Sequence, residues 1–143
     1  MKDLFARIAA FLLVFGSLTL IPAVQAQRTQ RIIKANIPFE FAVGDRLFPA
    51  GNYSLVSTAP SVLELRDIEN HILVMVLTNS VETSKRPSSP TLQFKSTGEG
   101  YALTQVWQEN FSIGQQVKPP KSWEKLAKGG PEHTLTVAVI NPR

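Results

Sequence analysis

The 143-residue chain contains no cysteine. That absence excludes thiol catalysis, disulfide exchange, thiolate metal sites, disulfide staples and a lipid-modified N-terminus. Histidine is nearly absent too. The two present, His71 and His133, make no His-x-His or His-x-x-x-His pair of the kind that opens a metal site. There is no Gly-x-Ser-x-Gly elbow and no glycine loop of the phosphate-cradling type, so no cofactor is implied. No internal repeat recurs at a fixed period, and charge of either sign is modest, with 15 Lys+Arg against 11 Asp+Glu.

The first residues read as an export signal. Lys2 and Arg7 flank Asp3 in a weakly positive start, and residues 8–20 are apolar apart from Gly16, Ser17 and Thr19. Pro22 follows, and then Val24-Gln25-Ala26, whose small residues suit cleavage after Ala26. An apolar stretch interrupted by proline falls short of the roughly 20 residues of a membrane span. The expectation is a signal peptide over residues 1–26 and one domain over 27–143, enough chain for a single core. An exported, cysteine-free domain is held by its core alone and is expected in a bacterial envelope, periplasmic or extracellular. Basic residues occur early (Arg28, Arg31, Lys34), in mid-chain (Lys85, Arg86) and late (Lys118, Lys121, Lys125, Lys128), without the aromatic interleaving of a nucleic-acid surface. No nucleic-acid partner is expected. A weakly basic surface facing anionic envelope polymers is the charge-based alternative to an ordinary solvated one.

What is present is alternation. Ile33, Ala35, Ile37, Phe39, Phe41 and Val43 share one parity, and Lys34, Asn36, Pro38, Glu40 and Ala42 the other, the period of a half-buried strand. Gly44-Asp45 breaks the run, and Pro49-Ala50-Gly51-Asn52 turns the chain into a strand starting at Tyr53. Leu63 and Leu65 alternate with Glu64 and Arg66, residues 67–71 supply a turn, and residues 72–77 form an apolar run expected as a central strand covered on both sides. Residues 79–90 carry little to bury and read as a mobile loop. Leu92 and Phe94 open a second hairpin, turned at residues 97–100 and returning over 101–107. From 108 to 130 the strand pattern stops. Ser122 is placed to cap a short helix ending at Gly129-Gly130, with Trp123, Leu126 and Ala127 on its apolar face. A last strand runs over 134–140. About seven strands with frequent turns predict an all-β fold, an antiparallel β-sandwich or small barrel with one short helix near the C-terminus. They are too few and too short for an outer-membrane barrel.

The stretch IPFEFAVGDRLFPAGNYSL resembles the opening of a group of small secreted bacterial proteins. Ile37, Pro38, Phe39, Phe41, Val43 and Gly44, then Pro49, Ala50, Gly51 and Tyr53, carry the likeness, with Phe48 where the group has leucine. The resemblance covers about a fifth of the domain; it implies a secreted β-domain and carries over no catalytic residue. The Pro-Ala-Gly-x-Tyr piece is also similar to a turn of transthyretin-like and collagen-adhesin B-type domains. There proline fixes φ, glycine takes a positive φ, and tyrosine restarts the strand under a covering side chain.

Two constellations invite chemistry. Asp67 and His71, with Glu64 and Glu69 nearby, are placed to form a proton-transfer pair, the basis of a small-hydrolase alternative; turn capping is the ordinary role of such residues. Trp107, Trp123, Tyr101, Tyr53 and Phe111 fall at or beside strand ends, where exposed rings stack sugars, although buried tryptophan is the commoner case. Asn52-Tyr53-Ser54 and Asn110-Phe111-Ser112 match glycan acceptor patterns, accidental ones in a bacterial chain. The sequence therefore reads as a non-enzymatic exported β-domain binding an envelope protein or polysaccharide. A structural subunit of a surface assembly is the third reading, and it calls for a free edge strand.

Overall fold

The structure is a computed structural model that describes residues 30–96, 100–126 and 133–138. The expected signal peptide, the turn at 97–99 and the last turn of the expected helix lie outside the described residues. The strands are β1 (Arg31–Ile37), β2 (Phe41–Val43), β3 (Arg46–Phe48), β4 (Gly51–Ala59), β5 (Val62–Arg66), β6 (Ile72–Glu82), β7 (Thr91–Ser96), β8 (Tyr101–Trp107), β9 (Ile113–Val117) and β10 (His133–Ala138). The one helix among the described residues is α1 (Lys121–Leu126). The all-β expectation, with its short helix near the C-terminus, describes the protein. Strand number and polarity differ from it: the described residues form ten strands, and β2 pairs with β8 in parallel, so the sheet is mixed.

The hydrogen-bonded path runs β1-β4-β5-β6-β9-β8-β2-β3, with β7 alongside β8 and β10 alongside β7. Strand β6 joins the two halves. Its first part pairs with β5 from Ile72 to Leu77, and its second pairs with β9 from Thr78 to Glu82. No pair among the described residues returns β3 to β1, so the path is open. Ile33, Ile37, Leu55, Leu63 and Leu65 from the first half share one core with Leu92, Phe94, Leu103, Val106 and Val117 from the second. The sheet is thus folded over on itself around one main hydrophobic cluster. Among the described residues no helix is long and apolar enough to cross a membrane.

The opening stretch shows both the strength and the reach of the alternation. Ile33, Ala35 and Ile37 are buried while Lys34 and Asn36 are exposed. The run is nonetheless two strands, because Pro38 offers no N–H to a ladder. Beyond it Phe41, Ala42 and Val43 are all buried. Phe41 and Val43 face the main core, and Ala42 joins Ala102 and Trp123 in a second cluster beneath α1. Gly44, at φ +58, turns β2 into β3. Strand β4 begins at Gly51 and pairs back on β1 from Ile37↔Gly51 to Arg31↔Ser57. In this turn the glycine rule does not operate: the described glycines of positive φ are Gly44 and Gly100, not Gly51. The ring of Tyr53 instead lies across Gly51, 3.4 Å from where a β-carbon would stand. Its hydroxyl donates to the carbonyl of Pro49 at 2.6 Å, closing the turn from within.

Three further expectations are corrected. Strand β6 is central in the path but is not covered on both sides, since Ile72, Met75 and Leu77 are 54%, 56% and 78% exposed. The helix that could have roofed it packs over β2 and β8 instead, through Trp123. The expected loop is shorter than drawn, because β6 continues to Glu82 through polar residues paired by their backbones with β9. And residues 113–117 form a strand inside the stretch that carried no strand pattern. The helix also starts differently. The amide of Lys121 is capped at 3.0 Å by the Asp45 carboxylate from the β2–β3 turn, in place of Ser122.

Candidate functional site

At one end of the folded sheet, β9, the β4–β5 turn and the start of β1 enclose a groove of about 790 Å³. Its far wall is Ser57, Thr58, Ala59 and Pro60; its near wall is Phe111, Ser112, Ile113, Gly114 and Gln115; Val106, Gln108, Ser80 and Arg31 complete it. Gln115 holds the two walls together. It is buried, accepts at Oε1 from the Ser57 hydroxyl, and points Nε2 at the carbonyls of Ala59, Pro60 and Val62 at 3.3–3.4 Å and at Thr78 Oγ1 at 3.2 Å. A buried amide with both ends engaged fixes the turn against the strand.

The groove's lining is polar in a particular way. The side chains of Thr58, Ser80, Gln108 and Ser112 make no hydrogen bond among the described residues, so their hydroxyls and amide remain available to a ligand. Among the described residues of the lining Arg31 is the one that is charged, and none is a carboxylate. Its guanidinium lies over the Phe111 ring at 3.9 Å from the centroid, a cation–π contact that holds an otherwise mobile side chain at the rim.

Of the five aromatic residues singled out from the sequence, the structure brings Phe111 alone to this groove, 43% exposed. Trp107, Trp123 and Tyr53 are buried at 6%, 7% and 8% exposure and present no face to a ligand. Trp107 sits beneath the groove, its indole N–H satisfied by Gln105 Oε1 at 3.1 Å, and Trp123 pins α1 to Ala42 and Ala102. Tyr101 is half-buried against Phe39, ring centroids 4.3 Å apart. Burial of Tyr53 pushes its phenol above the ordinary tyrosine value. Arg31, Ser57, Thr58, Gln108, Ser112 and Gln115 carry no joint signal in the sequence because they come from β1, β4, the β8–β9 connection and β9. The single trace in the sequence is Gly114-Gln115, a glycine and an amide standing where a strand would carry apolar residues.

The Asp67–His71 pair does form. His71 Nδ1 stands 3.1 Å from Asp67 Oδ2, and Glu69 Oε2 lies 3.5 Å from the same nitrogen. The backbone N–H of His71 donates to Asp67 Oδ1 at 2.8 Å, and this bond first, with the imidazole second, lowers the Asp67 carboxyl below its ordinary value. One ligand atom from each of Asp67, Glu69 and His71 falls within 4.8 Å of the others. The trio sits on an exposed turn, and none of its members lines the groove or the smaller cleft of about 350 Å³ between Lys34, Asn36, Asn52, Ser54 and Ile68. A proton-transfer pair needs a substrate held beside it, and here the geometry is that of a capped turn. His133 is exposed on β10, away from this trio in sequence and outside both linings.

No protein family, curated protein or solved structure matches this chain.

Proposed function

We propose that the protein is an exported, non-enzymatic binding domain whose ligand, an envelope or extracellular polymer, lies in the groove between β9 and the β4–β5 turn. The observation that carries this reading is the exposed Phe111 ring at the mouth of a groove lined by the unengaged hydroxyls of Thr58, Ser80 and Ser112 and the unengaged amide of Gln108. A ring face supplies apolar contact to a sugar or planar group, and hydroxyls, each donor and acceptor, match a ligand rich in the same groups. Among the described residues the groove's walls hold serines, with no histidine or carboxylate beside them to activate one as a nucleophile. Export is supported by the apolar stretch 8–20 and the small residues Val24 and Ala26 that follow it.

The structural-subunit reading draws on β1, which ends the hydrogen-bonded path. Lys34 near the middle of that strand and Pro38 just past it are features that discourage edge-to-edge pairing.

Retention of the purified protein on insoluble polysaccharides, peptidoglycan among them, tests the reading. Phe111→Ala should abolish retention on the polymer that holds the unmodified protein while leaving the circular dichroism spectrum unchanged. Retention on none of them, or retention indifferent to Phe111, overturns it.

A further inference from the structure

We infer that the groove is built for an acidic polysaccharide, a chain of uronate-type sugars, and that Arg31 is the residue that reads its carboxylate. The inference rests on the binding reading above and names the ligand class for that same groove.

The first ground is charge. Among the described residues Arg31 is the one charged member of the lining, none of the lining is a carboxylate, and Arg31 has no ion-pair partner. A cation in a concave site with no anion opposite raises the local concentration of anionic ligands.

The second ground is geometry. The Arg31 guanidinium carbon stands 3.9 Å from the centroid of the Phe111 ring. A π-face accepts no conventional hydrogen bond, and the guanidinium has no ion-pair partner among the described residues, so its N–H donors remain free for a carboxylate fork. The ring therefore does two things: it immobilises the arginine, and it leaves part of its own surface for contact with a sugar ring.

The third ground separates a glycan from an extended peptide. Peptides captured by β-sheets add to a free strand edge through backbone hydrogen bonds. Here β9 is paired to β6 throughout and to β8 at Gln115 and Gln116, Ser57 and Ser80 stand in paired registers, and the free edge beside the groove is that of β1, where Lys34 discourages strand addition. What remains on offer is the set of side chains Thr58, Ser80, Gln108 and Ser112, which suits the hydroxyls of a sugar.

The test is calorimetric titration of the purified protein with a short oligogalacturonate, the neutral methyl ester of the same oligomer, and an oligoglutamate of similar charge. It is run at about 0.15 M salt, where attraction between distant exposed charges is largely screened. The expected result is preference for the oligogalacturonate. Arg31→Ala should weaken that binding by about tenfold or more and Arg31→Lys by less, because lysine keeps the charge and loses the fork. Lys118→Ala, an exposed charge outside the groove, should leave binding unchanged. Equal affinity for acid and ester, or indifference to Arg31, overturns the role of the carboxylate while leaving the groove as a binding site. Preference for oligoglutamate overturns the sugar. Binding of none of the three, together with no retention on any polysaccharide, overturns the binding reading as well.

Discussion

The indole of Trp107 lies flat against the bare α-carbon of Gly114, so close that a β-carbon there would stand 2.6 Å from Cε3 and 2.8 Å from Cδ2 of the ring. The contact sits directly under the groove, and both partners are buried. Elsewhere, Gly→Ala at a compatible position stabilises by roughly 0.4–1 kcal/mol through the unfolded chain. Here the added methyl must displace an indole held among core residues, and overpacking of that kind costs about 1–3 kcal/mol. Gly114→Ala is expected to lower the denaturation midpoint and to weaken ligand retention together. An unchanged or raised midpoint would show that the ring does not rest there.

Tyr53 closes the turn before β4 by donating to Pro49. Tyr53→Phe keeps the ring and removes that bond, an expected loss of about 1 kcal/mol near neutral pH. The pH dependence follows from burial, which raises the phenol's value in the folded protein. A group raised in the folded state contributes fully below its unfolded value, near 10, and that contribution is lost as pH climbs from there through the folded value. Denaturation of the two proteins from pH 8 upward should show the unmodified protein losing stability faster above about pH 10, so that the gap between them narrows. Parallel curves would mean that Tyr53 ionises as freely folded as unfolded.

Asp45 and the amide of Lys121 are far apart in sequence, yet their 3.0 Å hydrogen bond ties the β2–β3 turn to the start of α1. A carboxylate on a free helical amide is worth about 1 kcal/mol, in the range of capping residues. Asp45→Ala should cost that much. It should also loosen Trp123, raising its acrylamide quenching in a protein where Trp107 is replaced by phenylalanine. Ser122→Ala, by contrast, should change neither measurement.

In the β5–β6 turn, Asp67 is lowered chiefly by the backbone N–H of His71 and only secondarily by its ring. The sign follows: a carboxyl lowered in the folded state contributes above its unfolded value, near 4, and that contribution fades as pH falls through the folded value. Carboxyl carbon NMR should find Asp67 titrating below the ordinary aspartate value. His71→Ala should leave most of the depression in place because the backbone donor survives. Complete reversion in His71→Ala would assign the effect to the imidazole.

How far the sequence carries can be argued strand by strand. Where one face is buried and one wet, period two shows it, as with Ile33-Ala35-Ile37 and Leu92-Phe94. Where a strand is held by its backbone while its side chains are polar, nothing periodic remains. Thr78–Glu82 is such a stretch apart from Val81, and it pairs with Ile113–Val117, where Gly114-Gln115-Gln116 separates the two apolar residues. Both tryptophans follow the commoner case and are buried, but what covers Trp123, alanines from β2 and β8 distant in sequence, is beyond local pattern. The groove escaped for the same reason. Arg31 meets Phe111 and Ser57 meets Gln115 only because β1, β4 and β9 converge at one end of the fold.

Gln115 offers a way to separate the groove's stability from its chemistry. Gln115→Ala removes the amide from beneath the β4–β5 turn, stranding the Ser57 and Thr78 hydroxyls and the carbonyls of Ala59, Pro60 and Val62 that it serves. Buried polar groups left without partners cost about 1–3 kcal/mol each, and water entering from the groove mouth will satisfy some of them. The expected net loss is about 2–3 kcal/mol in a denaturation experiment, accompanied by loss of ligand retention as the far wall drifts. Ser112→Ala removes a hydroxyl whose side chain has no partner among the described residues, so its stability should stay within about 0.5 kcal/mol of the unmodified protein. Ligand retention by Ser112→Ala should nonetheless fall. If both variants lose retention but only Gln115→Ala loses stability, the amide is the groove's frame and the serine one of its contacts. If Gln115→Ala keeps both stability and retention, the network around it does not hold the walls, and the groove must be set by the strand ladder alone.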